Sequence, residues 1–126
     1  MKTKKILLVD DDNINPAILM FILKEIGFIG ENILTAEDGI KALEVLKNNS
    51  VDLIITDYVM PNMNGLDLIK TVKNDKNLFR IPIILNSGTP TSDLIQQALS
   101  FGACGFFPKP YDLERIKTEI KKAFTI

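Results

Sequence analysis

The chain has 126 residues, 46% of them hydrophobic and 25% charged, and carries a formal net charge of −1. This is the size and balance of one globular domain with a single core, and a charge near zero removes the bulk attraction that favours nucleic acid. Histidine is absent and Cys104 is the only cysteine, so no Ser-His or Cys-His catalytic pair, no histidine metal ligand and no internal disulfide can form.

The start, Met-Lys-Thr-Lys-Lys, is basic, but the apolar run after it covers only residues 6–9. That is too short for a signal peptide or a membrane span. With the lone cysteine it predicts a cytoplasmic protein of one domain over residues 1–126; Met1 with its short basic start favours a natural beginning, and a segment cut from a larger hybrid protein stays open.

Along the chain, residues 5–9 read as an aliphatic strand. Asn15 is a candidate N-cap and Pro16 suits the first turn of a helix. Ile18, Leu19, Ile22, Leu23 and Ile26 then recur at helical spacing until Gly27 stops the pattern. A weaker strand is expected over 32–36, followed by a helix over 38–47 with Ile40, Leu43 and Leu46 on one side. Residues 52–56 form a strand continuous in Leu and Ile, as expected when both sheet faces are covered. A turn-rich loop over 61–65 precedes a helix bearing Leu66, Leu68, Ile69 and Val72. The fourth strand is expected over 81–85, a helix over 91–101 ended by Gly102, and a short fifth strand at Phe106 and Phe107. Leu113, Ile116, Ile120 and Phe124 give the last helix its apolar stripe. Five strand–helix units in strict alternation predict an α/β, doubly wound, five-stranded parallel sheet.

Four polar points fall at the C-terminal ends of these strands, where parallel sheets bind ligands. They are Asp10-Asp11-Asp12, Asp57, Ser87-Gly88 and Lys109-Pro110. An aspartate in such a place, taken singly, is most often a turn or cap residue, and Asp12 is given that role here. Four equivalent strand ends together point instead to a cation and phosphoryl site. Carboxylates brought close raise one another's pKa, and a hard divalent cation such as Mg²⁺ with oxygen ligands removes that penalty. An aspartate can form an acyl phosphate. A lysine such as Lys109 offsets charge on phosphoryl oxygens, and the Ser87 hydroxyl can donate to one. Phe106 is either a mobile aromatic reporting the state of the site or a packed strand residue. Cys104 reads as a small apolar residue rather than a reactive thiol.

Together these residues resemble the receiver domain of bacterial two-component response regulators, in particular the single-domain chemotaxis type, over nearly the whole chain. The resemblance implies a flavodoxin-like (βα)5 fold. It implies that Asp10 and Asp11, with Asp57 and the Val59 carbonyl, hold Mg²⁺. Asp57, in Asp-Tyr-Val-Met-Pro, would accept a phosphoryl group from a histidine kinase or phosphotransfer protein, with Lys109 and Ser87 assisting. Ser87 and Phe106 would form the switch, and the Lys109–Pro110 bond would be cis. The output partner would bind the face of the fourth helix, fifth strand and fifth helix, with no direct contact to nucleic acid or membrane. Such a protein is a signalling receiver that catalyses only its own Mg²⁺-dependent phosphorylation and dephosphorylation. Four residues depart from the pattern: Phe106 lacks the hydroxyl of the usual tyrosine, Asn86 is polar where an apolar residue is usual, and Pro108 and Pro16 are uncommon.

A receiver retained only as a binding module is the first rival, opposed by the intact acidic set. An aspartyl-phosphate hydrolase would need a second aspartate two residues after Asp57, where Val59 stands. A nucleotide site lacks its Gly-x-Gly-x-x-Gly turn after the first strand. Val59 and Thr89, two beyond Asp57 and Ser87, would flank an acyl phosphate. Neither holds a water well, which predicts slow self-dephosphorylation.

Overall fold

The aliphatic runs of the sequence form the strands of one parallel sheet. The computed structural model describes residues 3–88 and 91–125; Met1, Lys2 and Thr89 lie outside the described residues. The elements are β1 (Ile6–Val9), α1 (Ile14–Ile26), β2 (Ile33–Ala36), α2 (Gly39–Asn48), β3 (Leu53–Asp57), α3 (Gly65–Lys73), β4 (Ile83–Ser87), α4 (Ser92–Ser100), β5 (Gly105–Pro108) and α5 (Leu113–Phe124), with a 3-10 turn at Gly30–Asn32 before β2.

The strand order is β2-β1-β3-β4-β5, and every neighbouring pair is parallel. This is the flavodoxin-like, doubly wound order, whose connections diverge between β1 and β3 and open a crevice at their C-terminal ends. Alternation along the strands sends side chains to two cores. Leu7, Val9, Ile54, Ile83 and Leu85 pack with residues of α2, α3 and α4. Ile6, Leu8, Leu53, Ile55, Ile84 and Phe107 pack with Leu19 and Leu23 of α1 and Ile116 and Ile120 of α5. Each aliphatic side chain buried in this way stabilises the fold by roughly 1.5–3 kcal/mol.

Three expectations are corrected. Helix α1 begins at Ile14, ahead of Pro16, with Asn13 rather than Asn15 at the cap position. Asp12 replaces the missing cap: its Oδ1 accepts from Ile14 N–H at 3.0 Å and its Oδ2 from Asn15 Nδ2 at 2.9 Å. Ile18 and Ile40 face solvent, 46% and 45% exposed, and α2 buries Ala42 beside the expected Leu46. Their helices are rich enough in aliphatics that spacing alone did not select the inner face. Strand β4 runs two residues further than its apolar stretch, because Asn86 and Ser87 continue the ladder opposite Asp57, Phe107 and Pro108. Pro108 is tolerated because β5 is an edge strand, and the next donor, Lys109 N–H, bonds the Ser87 carbonyl at 3.0 Å.

Candidate phosphoryl and cation site

Strands β1 and β3 end side by side, with Val9 opposite Thr56, so Asp10 and Asp57 meet over the crevice. Asp10 is buried, Asp11 exposed and Asp57 between the two. One carboxylate oxygen from each of the three lies within 4.8 Å of the others. Backbone donors fix two of these carboxylates: Asp12 N–H donates to Asp10 Oδ1 at 2.9 Å, and Tyr58 N–H donates to Asp57 Oδ1 at 2.8 Å. Lys109 reaches over from the end of β5, and its Nζ lies 3.2 Å from Asp57 Oδ2 and 3.5 Å from Asp10 Oδ2.

Burial, and next to it the charge of Asp57, pushes the Asp10 carboxyl above the ordinary value of 3.8; the Asp12 N–H bond and Lys109 oppose that rise. An acid strained towards neutrality beside two more carboxylates is a set of oxygen donors that one lysine does not fully compensate. It suits a hard divalent cation.

The loop after β3 is folded tightly behind Asp57. Gly65 N–H donates to the Tyr58 carbonyl at 2.8 Å. A side chain at Gly65 would run into the Asp57 carbonyl oxygen and would sit 3.0 Å from Tyr58 Cα, so only glycine lets α3 start here. Asn64 caps α3, accepting from Asp67 N–H at 2.9 Å. Asn62, in the left-handed region at φ 68°, donates to Asp38 Oδ2 at 2.9 Å and so ties the loop to the start of α2.

Of the other expected site residues, Ser87 is buried at the end of β4. Val59 is 70% exposed and lines an open groove with Tyr58, Thr91, Asp93 and Gln97. Phe106 is half-buried and packs against the α2–α4 core. The Arg115 guanidinium lies over its ring, 4.7 Å from the centroid, and donates to the Phe106 carbonyl at 3.2 Å. The Lys109–Pro110 peptide bond is cis. Cys104 is half-buried, and burial pushes its thiol up, away from the reactive thiolate.

Sequence reasoning missed one contact at the edge of the site. Asn86, fully inside the fold, donates through Nδ2 to the Tyr111 hydroxyl oxygen at 2.7 Å. Burial raises the Tyr111 hydroxyl to about 12; the Asn86 bond acts against this, and Asp10, Asp57 and Asp12 add to it. The unusual polarity of Asn86 was its only signal, and nothing in the sequence named its partner.

The family model of the response regulator receiver domain matches residues 6–121. The chain is 33% identical to chemotaxis protein CheY-3 of Vibrio cholerae over 123 residues, covering 98% of this chain and 93% of that protein. It is 34% identical to chemotaxis protein CheY of Pseudomonas aeruginosa over 120 residues, covering 95% of each. The structure of Vibrio cholerae chemotaxis protein CheY4 superimposes with a TM-score of 0.85 at 26% identity, covering 96% of this chain and 98% of that one.

Proposed function

This chain belongs to the response regulator receiver domain family, and on that premise we propose that it acts as a single-domain phospho-receiver, with Asp57 as the phosphoacceptor. One observation carries the assignment: Lys109, 52 residues away in sequence, places its Nζ on Asp57 beside the Asp10–Asp11–Asp57 carboxylate cluster. Structural ion pairs at strand ends do not need three carboxylates for one lysine.

In this reading an oxygen of Asp57 bonds to the phosphorus of the donor as the bond from phosphorus to the donor nitrogen breaks. The chain has no histidine, so the phosphohistidine belongs to a histidine kinase or a phosphotransfer protein. Asp10, Asp11, Asp57 and the Val59 carbonyl would hold Mg²⁺, which when bound supplies positive charge against the phosphoryl oxygens. Lys109 Nζ, within reach of both Asp57 and Asp10, adds a second positive charge at the same strand-end edge. The Ser87 hydroxyl donates to a phosphoryl oxygen, and Phe106 repacks against the fold as it does so.

That rearrangement alters the α4–β5–α5 face, where the output protein binds. The signal is a population shift, so the partner must bind the two states with different affinity. The chain is no enzyme towards other substrates and catalyses only gain and loss of its own phosphoryl group. Among the described residues no helix is long and apolar enough to cross a membrane.

Beryllofluoride, a phosphoryl mimic, tests this assignment. Binding that requires Mg²⁺ and is lost in Asp57→Asn supports it. No binding to the wild type, with the variant indistinguishable, would leave a protein-binding module only.

A further inference from the structure

The segment that carries Lys109 is tied at both ends to consecutive residues of β4. At its start, Lys109 N–H donates to the Ser87 carbonyl at 3.0 Å. At its end, the Tyr111 hydroxyl accepts from Asn86 Nδ2 at 2.7 Å. Asn86 itself is held in the centre of the sheet, opposite Asp57 on β3 and Phe107 on β5. The Tyr111 ring stands edge-on to Phe107, with centroids 5.9 Å apart.

Asn86 is 3% exposed, and its Oδ1 is buried without a hydrogen-bond partner. A buried amide with one unsatisfied oxygen is a poor choice for stability at a position where Ile84, two residues earlier on the same face, is wholly apolar. What the amide provides instead is one directed bond to Tyr111. We infer that Asn86 and Tyr111 are positioning residues: their hydrogen bond holds the Lys109 segment in register with β4, so that Lys109 Nζ sits on Asp57. This rests on the phospho-receiver assignment above.

A role in positioning and a role in stability predict opposite results for Asn86→Leu combined with Tyr111→Phe. Both polar partners are then replaced by apolar groups of similar size, which leaves no orphaned atom and is nearly neutral or stabilising for the fold. The bond that fixes the lysine segment is nevertheless gone. The experiment measures three quantities on wild type, Tyr111→Phe, Asn86→Leu and the double variant: melting temperature, Mg²⁺ affinity, and the affinity and rate with which beryllofluoride and acetyl phosphate react.

The expected result is a double variant that melts at or above the wild-type temperature and binds Mg²⁺ no more weakly. It should bind beryllofluoride and take up phosphoryl groups about five- to tenfold less well. Each single variant should show most of that loss, because either change removes the same bond. Two results would overturn the inference: wild-type phosphorylation in the double variant, or a loss of Mg²⁺ affinity and melting temperature in step with the lost phosphorylation. If Asn86→Leu fails to fold, Tyr111→Phe decides alone, since it keeps the ring against Phe107. A wild type that itself takes no phosphoryl group would contradict the receiver assignment, whereas a reactive wild type with unaffected variants would contradict only the positioning role.

Discussion

Lys109 spans from the edge strand to the centre of the sheet, and its Nζ comes within 3.2 Å of Asp57 Oδ2 while both side chains are largely buried. The same nitrogen reaches Asp10 Oδ2 at 3.5 Å. Lys109 thus serves two carboxylates that a bound cation would also claim. The group that would act on the phosphoryl oxygens already bridges the two carboxylates.

Lys109→Ala separates these two roles. Removing a preorganised cation from a phosphoryl site costs about 10²-fold or more in rate, so uptake from acetyl phosphate should fall by that order. Mg²⁺ affinity should rise several-fold, because the lysine no longer competes for Asp10 and Asp57. Rate measurements and a Mg²⁺ titration on one preparation check both directions.

Asp10→Asn should stabilise the cation-free protein. The Asp10 carboxyl is raised above 3.8, chiefly by burial, so the folded state disfavours its charged form. That penalty is absent below pH 3.8, appears as pH rises through the elevated folded value, and is complete at neutral pH. In EDTA the variant should therefore be more stable than wild type at neutral pH, with the difference vanishing in acid. Saturating Mg²⁺ should reverse the order, since only the wild type keeps the full ligand set and is stabilised by binding. Thermal melts across pH, with and without Mg²⁺, read out both effects.

Val59 predicts the lifetime of the phosphorylated state. It is exposed at the mouth of the site and offers no side-chain hydrogen bond to an attacking water. Self-dephosphorylation should take minutes or longer, and Val59→Asn should shorten the half-life several-fold by orienting a water. Following loss of the phosphoryl mass after removal of the donor checks this. A wild-type half-life of seconds contradicts it.

Much of this was legible in the chain because local pattern and strand-end chemistry agree. The runs around Ile6–Val9 and Leu53–Asp57 are buried on both faces and so lack the alternation of a half-exposed strand. Asp10, Asp57, Ser87 and Lys109 stand out only because polar groups recur at four equivalent strand ends. What stayed hidden depends on contacts between distant segments. Aliphatic spacing in α1 did not reveal that Ile18 faces water while Leu19 and Leu23 face the core. Arg115 over Phe106 and Asn86 on Tyr111 each join elements whose separation in space is set only by the packed sheet. Asp12 stood in the acidic run as a turn residue, and its service to the first turn of α1 needed the loop geometry to be seen.

The most direct test is the intact mass of the protein after incubation with acetyl phosphate, in Mg²⁺ and in EDTA, beside Asp57→Asn. A gain of one phosphoryl group in Mg²⁺ alone, absent from the variant, is the predicted result. A gain that persists in Asp57→Asn, or that ignores EDTA, would contradict Asp57 as the cation-dependent phosphoacceptor.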